Sequence, residues 1–178
     1  PRSPYSASKA SSDHLVNAWH HTYKLPTVVT NCSNNYGPWQ NPEKLIPKII
    51  LNAINNRSIP IYGDGENIRD WLHVDDHVNG LISVLNYGKV GEKYCIGGNQ
   101  ERTNNEVVNT ICEILDEIIP KEKSYKELIT YIDDRLGHDR RYSIDALKIR
   151  SKLNWEPKFS FKEGIKNTIC WYLEKSQK

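Results

Sequence analysis

The chain has 178 residues, 38% of them hydrophobic and 26% charged, with a formal net charge of +2. That length can bury a sizeable core, and the balance of 24 basic against 22 acidic residues excludes a polybasic nucleic-acid arm or an acidic solvating tail. No apolar run approaches the roughly 20 residues a membrane-spanning helix needs, and no secretory signal opens the chain, so a cytoplasmic protein is expected. There is no methionine, and the chain begins Pro1-Arg2-Ser3-Pro4, which points to a cut through a longer polypeptide.

Ser3-Pro4 is a helix opening, a hydroxyl cap followed by a proline whose missing N–H is harmless in the first turn. The helix should run to about Tyr23 and stop at Lys24-Leu25-Pro26. Thr27 to Cys32 is β-branched and reads as a strand, and Asn34, Asn35, Gly37 and Pro38 as a loop. Leu45, Ile46, Ile49, Ile50, Ala53 and Ile54 share one helical face. Ile59 to Tyr62 is a short strand closed by Gly63-Asp64-Gly65.

Ile68 to Val74 is predicted as extended. Asp75 should cap a helix on which Val78, Leu81, Ile82 and Leu85 keep the 3.6 period. Tyr94 to Ile96 reads as a strand. Thr103 and Glu106 form a capping box ahead of Val107, Val108, Ile111, Ile114, Leu115 and Ile118. Lys121 to Lys126 is expected to be a solvated loop, and Leu128 to Ile132 a strand. Helices near Ile144 to Leu153 and Phe161 to Leu173 follow, the second opened by Ser160 and Glu163. This alternation argues an α/β fold.

Tyr5 and Lys9 stand four apart on the first helix, so both side chains leave one face. An ammonium beside a phenol favours the phenolate, which can act as a general base, although a chain with 10 tyrosines supplies such spacings readily by chance. His73 and His77 share that spacing without the Glu directly after the first His that a zinc helix needs, so no metal site is expected. Cys32, Cys95, Cys112 and Cys170 contain no closely spaced pair and read as reduced, buried thiols. Arg69, Arg135, Arg140 and Arg141 have the planar fork that matches phosphate oxygens, with ordinary surface charge as the alternative. Tyr36, Trp39 and Tyr62 stand beside turns and could stack on a flat ring or close the core. No Gly-x-Gly-x-x-Gly phosphate loop or Gly-x-Ser-x-Gly elbow occurs.

Taken together, several blocks carry a resemblance. Pro4-Tyr5-Ser6-Ala7-Ser8-Lys9-Ala10 resembles the active-site helix of the extended short-chain dehydrogenase/reductases. Asn31-Cys32-Ser33-Asn34-Asn35-Tyr36-Gly37-Pro38, Pro42-Glu43-Lys44-Leu45-Ile46-Pro47, Ile61-Tyr62-Gly63, Ile68-Arg69-Asp70-Trp71 and Gly137-His138-Asp139-Arg140-Arg141-Tyr142 follow in order. The series is similar to the C-terminal half of the dTDP-glucose 4,6-dehydratase family.

The resemblance implies the C-terminal portion of an NAD-binding Rossmann-type domain plus a smaller α/β substrate-binding lobe. Residues 1–35 would supply the last active-site helix and strand of the dinucleotide domain and residues 36–178 the sugar-nucleotide region, with about 68–88 packing back on the first. It further implies that Tyr5 removes the proton of the sugar's 4-hydroxyl, while Lys9 holds the nicotinamide ribose. Asn35 would contact NAD and Asn34 the substrate. Lys44 and Leu45 would contact substrate, Pro60 and Tyr62 would form the thymine pocket, Arg69 and Arg135 would hold the diphosphate, and Asn104 and His138 would complete the site. A homodimer acting on a dTDP-sugar is implied, without nucleic acid, membrane or metal.

The family's glycine-rich loop and its upstream Thr-Asp-Glu stretch are missing, so these residues alone are expected neither to hold NAD tightly nor to dehydrate a sugar. Cys95 and Leu136 depart from the family's Asn and Pro. A nucleotide-sugar epimerase or decarboxylase of the same superfamily, or an inert nucleotide-binding remnant, are the alternative readings.

Overall fold

A computed structural model describes residues 3–135 and 137–176. Pro1, Arg2 and Leu136, on which two of the readings above fall, lie outside the described residues. The elements run α1 (Pro4–Tyr23), β1 (Val29–Cys32), β2 (Asn34–Tyr36), α2 (Leu45–Ile54), β3 (Ile59–Tyr62), β4 (Ile68–His73), α3 (Val74–Tyr87), β5 (Lys93–Ile96), β6 (Glu101–Thr103), α4 (Asn104–Ile118), β7 (Ile129–Ile132), β8 (Arg141–Tyr142), α5 (Leu147–Leu153) and α6 (Phe161–Ser176). Parallel pairs β1–β5 and β3–β7 flank a third sheet in which β4 is shared: β2 and β8 run parallel to it and β6 antiparallel. The architecture is α/β, as the alternation requires.

β4 organises the interior because successive side chains leave a strand on opposite faces. Trp71 joins the larger core, with Ile46, Ile49 and Ile50 of α2, Ile59 and Ile61 of β3, Val107, Ile111 and Leu115 of α4, and Ile165 and Ile169 of α6. Its neighbour Leu72 joins a second cluster with Val84, Tyr94, Ile96, Ile149 and Trp155. The same alternation sends Arg69 with Trp71 and Asp70 with Leu72. Each fully buried Ile or Leu contributes about 1.5–3 kcal/mol, so the larger cluster carries most of the stability.

The caps behave as the sequence indicates at three helices. Ser3 Oγ accepts the Ser6 N–H, Thr103 and Glu106 complete a reciprocal box, and Ser160 and Glu163 do the same at α6. Several expectations are corrected. Asn34 and Asn35 form β2 because their backbone pairs with Trp71 and Leu72. α3 is capped by His73, whose Nδ1 accepts the Asp75 N–H, and not by Asp75.

β6 and β8 are strands where none was expected, and α5 starts at Leu147. The Lys121 to Lys126 segment is only partly a solvated loop, since Tyr125 opens a short 3-10 turn and is buried. Tyr36 is a core residue. Cys112 is buried, its thiol pushed up to about 12 by desolvation, whereas Cys32 is exposed.

The periodic face of α3 (Val78, Leu81, Ile82 and Leu85) lies exposed, and the buried positions are Asp76, Gly80 and Val84. α1 has no buried residue, and Leu15, Trp19 and Tyr23 are exposed. Asp13 ties α1 to the sheet, accepting from Asn31 of β1 at 3.2 Å and Lys93 of β5 at 2.8 Å.

His73 and His77 carry a pH dependence. Burial holds both imidazoles below their ordinary pKa, against the opposing pull of Asp75 and Asp76 on His73. The unfolded chain therefore binds more protons below about pH 6.5, and stability present above that pH is lost on acidification. The unfolding midpoint should fall between pH 7 and 5. The fall should be shallower in a His73→Asn, His77→Asn double variant, which keeps an acceptor at the α3 cap. Equal slopes in the two proteins would place the dependence elsewhere.

Candidate active site

A cleft of about 440 Å³ opens between β2, the start of α2, the end of β3, β4, the start of α4, and Arg135 and His138. Nine of the nominated residues line it: Asn34, Asn35, Lys44, Leu45, Tyr62, Arg69, Asn104, Arg135 and His138. Pro60 sits half-buried inside β3 and is not part of the lining. Tyr5 and Lys9 share an exposed face of α1, the Lys9 Nζ 5.6 Å from the Tyr5 ring centroid, and they too stand outside this lining.

Each lining residue has a local reason for its place. Asn34 and Asn35 leave β2 beside the middle of β4. Lys44 precedes α2, which no side chain caps and whose first turn holds no acid, so positive potential is not cancelled at that end. Asn104 opens α4, its N–H donating to the Asn67 carbonyl at 3.1 Å. His138 is oriented by Asp134, 2.6 Å from its Nδ1, and that contact with the Arg135 N–H holds the Asp134 carboxyl below the usual carboxylate range.

The structure separates the four arginines. Arg140 Nη1 meets both Asp64 oxygens at 2.9 Å. Arg141 makes a forked pair with Glu101 at 2.9 and 2.7 Å. Neither lines the cleft. Arg69 and Arg135 do, and among the described residues neither pairs with a carboxylate; each guanidinium instead lies over a tyrosine ring, Arg69 at 4.0 Å from Tyr142 and Arg135 at 4.3 Å from Tyr62. Arg69 is only 5% exposed, with hydrogen bonds to the carbonyls of Ile68 and Asp139 at 2.7 Å and Arg140 at 3.4 Å. A buried cation without a counter-ion is costly unless a ligand supplies one.

Gln40, Glu43, Trp71 and Tyr142 also line the cleft and had been given no role. Trp71 was within reach of strand alternation, two residues from Arg69. Gln40, which donates to the Asn35 carbonyl at 2.8 Å, had no periodic signal. Of the aromatics weighed for stacking, only Tyr62 faces the cleft. Trp39 is exposed against Trp171.

This α/β scaffold, with two arginines facing one cleft, has a family. The model described as GDP-mannose 4,6 dehydratase matches residues 1–168, and the chain belongs to that family. The dTDP-glucose 4,6-dehydratase of Shigella flexneri is 63% identical over 173 residues, 97% of this chain and 48% of that protein. The chain thus spans about half the length of the curated relatives it matches. Among solved structures, dTDP-glucose 4,6-dehydratase from Bacillus anthracis in complex with NAD matches with a TM-score of 0.90 at 49% identity, covering 99% of this chain and 54% of that one. UDP-glucose 4-epimerase from Thermotoga maritima, with UDP-glucose, matches at 0.87 and 30%, covering 99% and 55%. Among the described residues, no helix is long and apolar enough to cross a membrane.

Proposed function

We propose that this chain is the sugar-nucleotide-binding part of an NAD-dependent dTDP-glucose 4,6-dehydratase, a lyase that removes water from dTDP-glucose to give dTDP-4-dehydro-6-deoxyglucose. The observation that carries the reading is the pair Arg69 and Arg135, two cations facing one cleft with no carboxylate paired to them among the described residues. A diphosphate supplies the missing charge, and Tyr62 offers a ring for the thymine end. Lys44 and Asn34 stand where a hexose would lie, with Leu45, Asn104 and His138 completing the wall. Similar folds act on different nucleotide sugars, so the higher identity to the dehydratases supports this substrate over an epimerase's.

The residues here fit one end of NAD. Tyr5 and Lys9 present a hydroxyl and an ammonium together, and Asn35 adds an amide, a donor set suited to ribose hydroxyls and a carboxamide. No glycine-rich loop for the cofactor's diphosphate occurs among the 178 residues. When bound, NAD supplies hydride acceptance and return at the sugar. Lys9 holds the ribose, and the Tyr5 Oη takes the hydroxyl proton. The acid–base pair that completes the elimination is assigned to no residue of this chain. Residues 1–35 then belong with the cofactor domain and 36–178 with the substrate, 68–88 packing back on the former. A cytoplasmic homodimer follows from the same reading.

Mass spectrometry of dTDP-glucose after incubation with the whole enzyme tests the function. A product lighter by one water is expected; an isobaric product means an epimerase, and unchanged substrate that still binds means a nucleotide-binding remnant.

A further inference from the structure

An arginine that must bind a phosphate poses a problem of orientation. A carboxylate would hold it still but would neutralise its charge and occupy its donors, as Asp64 does to Arg140 and Glu101 to Arg141. An aromatic face holds a guanidinium through its plane and leaves the in-plane N–H groups free.

Tyr142 is placed to do this. β8 runs parallel to β4 with Tyr142 in register with Arg69, and the guanidinium carbon lies 4.0 Å from the ring centroid. Three of the five guanidinium donors go to the carbonyls of Ile68, Asp139 and Arg140, leaving two without a partner among the described residues. The two-residue strand is held twice on its N-terminal side. Ile68 N–H donates to the Arg140 carbonyl at 2.8 Å, and the Arg141–Glu101 fork fixes β8 across to β6. Tyr142 is half-exposed, lines the cleft beside Arg69, and belongs to neither core cluster.

We propose that Tyr142 is a positioning residue: its ring fixes the orientation of the Arg69 guanidinium so that the two remaining donors meet the diphosphate of a sugar nucleotide. This rests on the diphosphate reading above. The ring acts through its face, so the hydroxyl is dispensable.

The test is titration of the whole enzyme with dTDP by calorimetry and with thymidine by NMR. Tyr142→Leu is expected to weaken dTDP roughly fivefold to tenfold, the range of a partly desolvated cation–π contact. Its thymidine affinity and unfolding midpoint should stay at the wild-type values, and Tyr142→Phe should restore dTDP binding. Arg69→Ala should weaken dTDP by roughly 30-fold, and Tyr142→Leu added to it should weaken binding no further. Wild-type dTDP affinity in Tyr142→Leu, with Arg69→Ala still impaired, overturns the positioning role alone. Equal losses for dTDP and thymidine overturn it too, since the ring would then shape the cleft generally. Unchanged dTDP affinity in Arg69→Ala overturns the diphosphate reading and the inference with it.

Discussion

Tyr5→Phe in the whole enzyme is expected to lower kcat by about 100- to 10,000-fold, with the KM for dTDP-glucose changed by less than about twofold. The substitution is narrow. Ser3 caps α1 through the Ser6 N–H and Pro4 opens its first turn, so the position of residue 5 is set by the backbone and not by its hydroxyl. A phenylalanine keeps the ring beside the Lys9 ammonium and removes only the Oη proposed to take the sugar proton. Tyr5 is not among the residues that line the cleft around Arg69, Arg135 and Tyr62, which is why binding should survive. A variant that keeps half its turnover, or one that loses kcat only in step with KM, removes Tyr5 from the role of base.

The largest effect on stability is expected at Asp70. Its Oδ2 accepts the Gly98 N–H at 2.9 Å and its Oδ1 the Gln100 N–H at 2.7 Å, and the residue is buried. Alanine leaves the buried Gly98 N–H and the part-buried Gln100 N–H without their acceptor, a loss of about 3 kcal/mol. The backbone has little room to relax, because the open side of Gly98 faces the Trp71 carbonyl so closely that even a methyl group would collide with it. The disturbance also travels: Gln100 donates to the Phe159 carbonyl at 2.9 Å and accepts the Phe161 N–H at 2.6 Å, so the start of α6 is fastened through the same turn. Urea unfolding of Asp70→Ala measures this. Asp70→Asn, which can serve one N–H but sets its own amide against the other, should fall between. A loss below about 1 kcal/mol for Asp70→Ala would falsify the account.

What could be read from the chain follows the range of the forces involved. Helices with local stop and start signals were legible: Ser3-Pro4, Thr103 with Glu106, and Ser160 with Glu163 act within a few residues of themselves. β3 was legible to its ends because Gly63 and Gly65 turn the chain there. β2 was not, since Asn34 and Asn35 favour turns locally and become a strand only by pairing with β4 far along the chain. β8 has two residues and no period. The α3 stripe shows the limit of periodicity, which marks an apolar face without saying what covers it.

The site follows the same division. Residue type nominated four arginines, but the acids that engage Arg140 and Arg141 stand 76 and 40 residues away in sequence, and only the fold tells them from Arg69. Nine residues nominated by the resemblance fall in one cleft because a resemblance already contains tertiary information. It passed over Tyr142, whose role rests on a register that no local pattern encodes.

The helix bearing Tyr5 and Lys9 buries none of its residues, and its tether runs through one carboxylate, Asp13, partly open to water. Half-exposed ion pairs contribute about 0–1 kcal/mol, so α1 is expected to open locally at a lower free energy than the elements packed around β4 and α4. On the proposed function, capture of the nucleotide and abstraction of the proton would fall to parts of unequal rigidity. Mutation, or inheritance, can erase the second while leaving the first intact.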